Sequence, residues 1–204
     1  MAIVAAALAG VLASAALQAQ EVSAALHGAW LTRQDASSYS SEWAGAGFGG
    51  TLGLQRGRWR VDAVLNRGHL RPTCEPTCAA VEAIDLLSIE LRAGLRVTRG
   101  FWAEVAAGRE HVRPEFAAQD VGMLQAGIHF ESGLGRGADV WASAAVVPVA
   151  RSNAGRQGGV GIQVGLGAHL PLHGRWRLSG SYGLRRVNGL GVQSSVAAFG
   201  VGLQ

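Results

Sequence analysis

Residues 54–65 read LQRGRWRVDAVL. A glycine between two arginines marks a tight turn. From Trp59 onward apolar and polar residues alternate, with Trp59, Val61, Ala63 and Leu65 on one face and Arg60, Asp62, Val64 and Asn66 on the other. The same layout of turn, tryptophan and alternating segment returns in LRVTRGFWAEVA, LGRGADVWASAA and LPLHGRWRLSGS. A helix would need apolar residues at i, i+3, i+4 and i+7, and the charges fall wrongly for that. The chain is therefore read as strands, with four tight turns gathered at one end of the molecule.

The two-residue period runs from Glu21 almost to the last residue. EVSAALHGAWLT, AGAGFGGTLGL, LLSIELRAGLRV, VGMLQAGIHFES, VGIQVGLGAHL and SVAAFGVGL all alternate in this way, whereas ADVWASAAVVPV is apolar on both faces and leaves its orientation open. The count is about ten strands of near ten residues, or eight if one hairpin is irregular. Connections alternate in length: RQDASSYSSE, RPTCEPTCAAVE and ARSNAGRQGG are long, and RGR, VTRG, GRGA and LHGR are short. That is the rhythm of an up-and-down sheet, with long links on one side and tight ones on the other.

Of 204 residues, 49% are hydrophobic and only 16% charged, which excludes a disordered chain. The only long apolar run is at the start, which excludes a bundle of membrane-spanning helices. Lysine is absent, so arginine supplies all 18 basic residues; with a net charge of +4 and no basic block, nucleic acid is not an expected partner. Residues 1–19 read as a secretory signal peptide with an apolar run from Ala2 to Leu17 and a cleavage site after Ala19. Residues 20–204 form the expected exported domain.

An all-strand structure can span hydrocarbon only if it closes on itself, because every backbone polar group must find a partner within the protein. The apolar face of each segment is almost free of charge. The other face carries Arg60, Asp62, Glu90, Arg92, Glu104, His129, Glu131 and Arg177. Turning such an arginine to the bilayer midplane would cost about 2–4 kcal/mol, so these groups are assigned to a lumen. Trp59 and Trp176 share the apolar face beside short turns and are expected at a membrane interface. Trp102 and Trp141 are one residue out of phase and are expected in the lumen or in the turns. The expected fold is a closed antiparallel up-and-down transmembrane β-barrel.

On signal peptide, strand count, loop alternation and Trp-bearing turns, residues 21–204 resemble the small bacterial outer-membrane β-barrel proteins. The chain ends GVGLQ, where such barrels usually end in an aromatic residue. The resemblance implies an outer-membrane location, contact with outer-membrane lipid and with the assembly machinery of that membrane, and a monomer. Ten strands enclose a narrow lumen that long Arg and Glu side chains can largely fill, so a general porin is not expected.

Chemistry is less legible. Cys74 and Cys78, in TCEPTC, are the only cysteines and are expected to form a loop disulfide, worth on the order of 2 kcal/mol. RSNAGR, residues 151–156, resembles the Ser-Asn segment of outer-membrane lipid A deacylases, but Ala150 stands where that family has its histidine. Ser152 and His111 are the weak catalytic candidates. His69, Asp85, Glu110, His111, Glu115 and Asp120 lie at strand ends on the long-loop side and are read as surface charge. No cofactor or metal is expected. The expected role is structural or surface-interacting through the long loops. The alternatives are a barrel-embedded enzyme, deacylase-like or protease-like, and a secreted lipocalin-like barrel binding a small apolar ligand.

Overall fold

The computed structural model describes residues 21–35, 41–73, 82–115, 117–153, 155 and 157–203. The signal segment and both cysteines, Cys74 and Cys78, lie outside the described residues. Among the described residues there are ten strands: β1 (Glu21–Asp35), β2 (Ser41–Arg56), β3 (Trp59–Pro72), β4 (Ile84–Thr98), β5 (Phe101–Arg113), β6 (Val121–Gly135), β7 (Ala138–Ser152), β8 (Gly161–Pro171), β9 (Trp176–Val187) and β10 (Val192–Leu203). Each pairs antiparallel with its sequence neighbours, and β1 pairs with β10 from Ala24↔Leu203 to Asp35↔Val192, which closes the barrel. Closure leaves no unpaired sheet edge.

The tight turns have the residues their geometry demands. Gly57 sits at the first central position of the β2–β3 hairpin with φ 59°, and Arg136-Gly137 joins β6 to β7 with both φ values positive, 53° and 78°. Positive φ at these positions matches the right-handed twist of the flanking strands.

Alternation settles which side chains face in. On β3, Trp59, Val61, Ala63 and Leu65 face out and Arg60, Asp62 and Asn66 face in; on β7, the segment apolar on both faces, Val140, Ala142, Ala144 and Val146 face out and Trp141, Ser143 and Ala145 face in. Leu26, Phe48, Ile89, Val105, Ile128, Leu166 and Phe199 are all exposed on the outer wall. No second sheet or helix covers them among the described residues.

Strands run to 11–16 residues, longer than the expected ten. The outward apolar run stops at Leu65 on β3 and at Ala107 on β5; beyond it come Arg67, His69 and Arg71, and Arg109, His111 and Arg113. A membrane crossing needs only about 9–11 tilted residues, so the barrel continues past the apolar belt at its long-loop end.

That end is closed by packing. Leu31, Trp43, Leu70, Ile84, Leu86, Val112 and Ala118 form one buried cluster inside the barrel, and Val121, Met123, Val147, Ala150, Val187, Leu190 and Val192 form another. Ala118 comes from the β5–β6 connection and Leu190 from the β9–β10 turn, so the connections fold inward over the mouth. Gln119 fastens this cover: its N–H and its amide donate to Asp35 of β1, both at 3.0 Å.

Candidate functional site

Inside the barrel the inward polar residues form a connected ion-pair lattice. At its long-loop end Arg33 donates to Glu110. Arg185 donates to Glu110 at 3.0 Å and Ser194 adds a hydroxyl donor at 2.8 Å. Arg185 also reaches Glu90, which accepts from Arg92 at 2.6 Å and from Gln125 at 3.3 Å. Toward the short turns, Arg60 donates to Glu104 at 2.7 Å and to Glu131, and lies 3.0 Å from Asp62. His129 Nε2 is 2.8 Å from the same Glu131. Arg177 donates to Asp139 on the other side of the lumen.

Topology gives this lattice its meaning. Around the closed sheet β9 lies diametrically opposite β4, so the Arg185–Glu90 pair crosses the full width of the lumen. Burying these charges is tolerable only because each guanidinium meets carboxylates and the carboxylates accept further hydrogen bonds.

The four turn-associated tryptophans separate into two pairs. Trp59 and Trp176 are 62% and 49% exposed on the outer wall. Trp102 is 1% exposed in the lumen, with Arg60 and Arg96 each 4.7 Å from its ring centre. Trp141 also faces inward, stacked on His129 at 5.5 Å. It lies across Gly165 and Gly167 of β8, where an added Cβ would come within 3.2 and 2.7 Å of the indole.

Of the lumen residues named from sequence, Arg60, Asp62, Glu90, Arg92, Glu104, His129 and Glu131 come together in the lattice, and Arg177 stands apart with Asp139. Two of the groups read as surface charge are not on the surface: Glu110 is 3% exposed and Asp120 5%. Glu110 has the inward parity of Glu104 and faces Arg33. Asp120 is covered by His111 and Arg109, because the β5–β6 connection folds back on the wall. Glu110 and Arg185 share the polar face of Glu104 and Arg177 in the sequence pattern but were not counted among the lumen residues; Arg33 was not placed at all, although continuing the inward parity of His27 would have found it.

The catalytic candidates do not converge. His111 lies 2.6 Å from Asp120 through Nδ1, but its Nε2 accepts from Arg113 at 3.2 Å, so neither ring nitrogen is left to act as a base. Ser152 pairs in register with the inward Val121 and is buried on the lumen side, whereas His111 faces out. A nucleophile and its base must be within hydrogen-bond reach, and here the wall separates them. His69 and Asp85, 2.9 Å apart, are an exposed pair on the outer face. No group of three metal-ligating side chains occurs among the described residues.

A cavity of about 400 Å³ occupies the short-turn half of the lumen. It runs from Glu21, Gln55 and Gly202 at the rim to Glu110 and Ser194 under the packed clusters. One side bears the ion-pair lattice. The other, from β8 round to β2, is lined by small residues such as Gly165, Ser179, Ser181, Ala25 and Gly53.

No protein-family model matches the sequence, and no curated protein is significantly similar to it. Solved structures are similar in fold. The translocator domain of the autotransporter NalP from Neisseria meningitidis superposes with a TM-score of 0.50 at 12% identity, over 98% of this chain and 95% of that one. The transport unit of the autotransporter AIDA-I from Escherichia coli gives 0.48 at 11% identity, over 91% and 90%. Neisserial surface protein A gives 0.45 at 15% identity, over 89% and 96%. With a closed antiparallel sheet, an uncharged outer belt, exposed tryptophans beside short turns and an ionic interior, the chain has the fold of the small outer-membrane β-barrel proteins.

Proposed function

We propose that this barrel is a sealed, non-conducting scaffold that holds its long connections at the outer surface, with a structural or surface-interaction role. In this reading it acts as a monomer, its partners being outer-membrane lipid and the assembly machinery that inserts it. The supporting observation is the Arg185–Glu90 pair across the full lumen, lying beneath two buried apolar clusters. Ions would have to cross both layers to pass. The lipocalin-like alternative fares worse, because the largest apolar surface is on the outer wall and the interior is ionic.

The test is planar-bilayer recording of the refolded chain. The expected outcome is no stable conductance steps while heat-modifiable gel migration reports a folded barrel. Reproducible unitary steps from folded protein would replace the scaffold with a channel.

A further inference from the structure

All four short turns carry an arginine: Arg58 between β2 and β3, Arg99 between β4 and β5, Arg136 between β6 and β7, and Arg175 between β8 and β9. All four are exposed. Beside each stands an exposed apolar residue: Trp59, Val97, Leu134 and Trp176, in that order. Residues 57–58, 99–100, 136–137 and 172–175 include no Asp or Glu. Nearby carboxylates are already engaged, Glu131 with Arg60 and His129, and Asp139 with Arg177. Glu21, at the start of β1, pairs in register with Gln55 and is the carboxylate that strand pairing places beside the β2–β3 turn. At the other rim the signs are mixed: Arg109 is 3.4 Å from Asp120, and His69 is paired with Asp85.

We infer that the short-turn rim is a collar that binds the phosphates of phospholipid headgroups in the leaflet it faces. Successive turns lie two strands apart, roughly 10 Å at a strand spacing of about 4.8 Å. The neighbouring indole or aliphatic side chain sets the depth, since tryptophan settles at the headgroup level with its ring in the apolar layer. An arginine beside it has a stem long enough to reach the phosphate plane and a planar fork that donates two hydrogen bonds to one phosphate. Pinning helps as well: Arg58 Nε donates to the carbonyl of Arg96 at 3.0 Å, holding that guanidinium at the rim. The apolar neighbours favour a lipid-borne phosphate over a free one.

The test uses the full chain folded into vesicles of mixed phosphatidylglycerol and phosphatidylcholine. One lipid at a time carries bromine on its acyl chains to quench the outward tryptophans. The expected result is preferential quenching by the anionic lipid, by roughly fivefold in relative association. That preference shrinks as salt approaches 1 M, an arm needing no variant. In the R58Q/R99Q/R136Q/R175Q protein the two lipids quench equally, while quenching by phosphatidylcholine stays at the wild-type level. The R67Q/R109Q/R151Q protein, altered at the other rim, keeps the preference. Equal quenching in the wild type, a preference insensitive to salt, or one removed only by the R67Q/R109Q/R151Q set overturns the collar and leaves the barrel standing. A chain quenched by neither lipid overturns the membrane reading itself.

Discussion

The two halves of the lumen share one strand geometry and differ in what projects from it. Toward the long loops the inward positions carry Leu31, Trp43, Leu70 and Ile84 in one buried cluster and Val147 and Val187 in another. Toward the short turns the same inward parity on β8, β9, β1 and β2 carries glycine, serine and alanine, and the space between the walls stays open as the cavity. Alternation decides which residues point inward, and their volume decides whether the interior closes. The ion-pair lattice bridges the two halves because Arg and Glu side chains are long enough to span what small residues leave open.

The largest expected effect is at the junction. Changing Glu110 to Ala leaves Arg33 and Arg185 without their shared carboxylate and should cost about 3–5 kcal/mol, read as a shift in the denaturant midpoint of the vesicle-embedded barrel. Next comes the packed half: Leu70→Ala should cost about 2–5 kcal/mol in the same assay. On the open wall Ser181→Ala should stay within about 0.5 kcal/mol. Comparable losses from Leu70 and Ser181 would erase the contrast between the halves. A third change tests whether glycine makes the room that Trp141 occupies. Gly167→Val should displace the indole, shift its emission and destabilise by about 1–3 kcal/mol.

The smallest effect concerns the cover over the mouth. Burial acts to raise the Asp120 carboxyl, but hydrogen bonds from His111 and from the Val112 N–H outweigh it and hold the group below its ordinary 3.8. A depressed carboxylate stabilises the fold above its unfolded value and loses that contribution as pH falls through its folded one. Hydrogen exchange in the β5–β6 connection should therefore quicken as pH drops below 3.8, after correction for the intrinsic rate. Asp120→Asn should flatten that acid dependence. An unchanged acid profile would show that other contacts hold the cover.

Much of this was legible before any coordinates. The period of two, the charge-free face and the alternating loop lengths follow from local chemistry, and they give strand number, inward and outward faces and the positions of Trp59 and Trp176. Even the phase shift of Trp102 and Trp141 predicts residues turned away from lipid. Glu110 and Asp120 were misread because a charge at a strand end resembles surface charge until the chain that folds over it is known. Ser152 and His111 were separate weak candidates, and sequence does not show that one faces the lumen and the other faces out.

The sequence alone determined that the chain alternates, that one face can meet hydrocarbon and that the other cannot, since side-chain direction along a strand is fixed by the pleat. Only the tertiary structure decided which inward residues meet. Arg185 reaches Glu90, and Arg33 reaches Glu110, because closing β1 onto β10 brings distant strands face to face across the lumen. The same closure, with bulky side chains at one end and glycines at the other, left the interior packed at one end and hollow at the other.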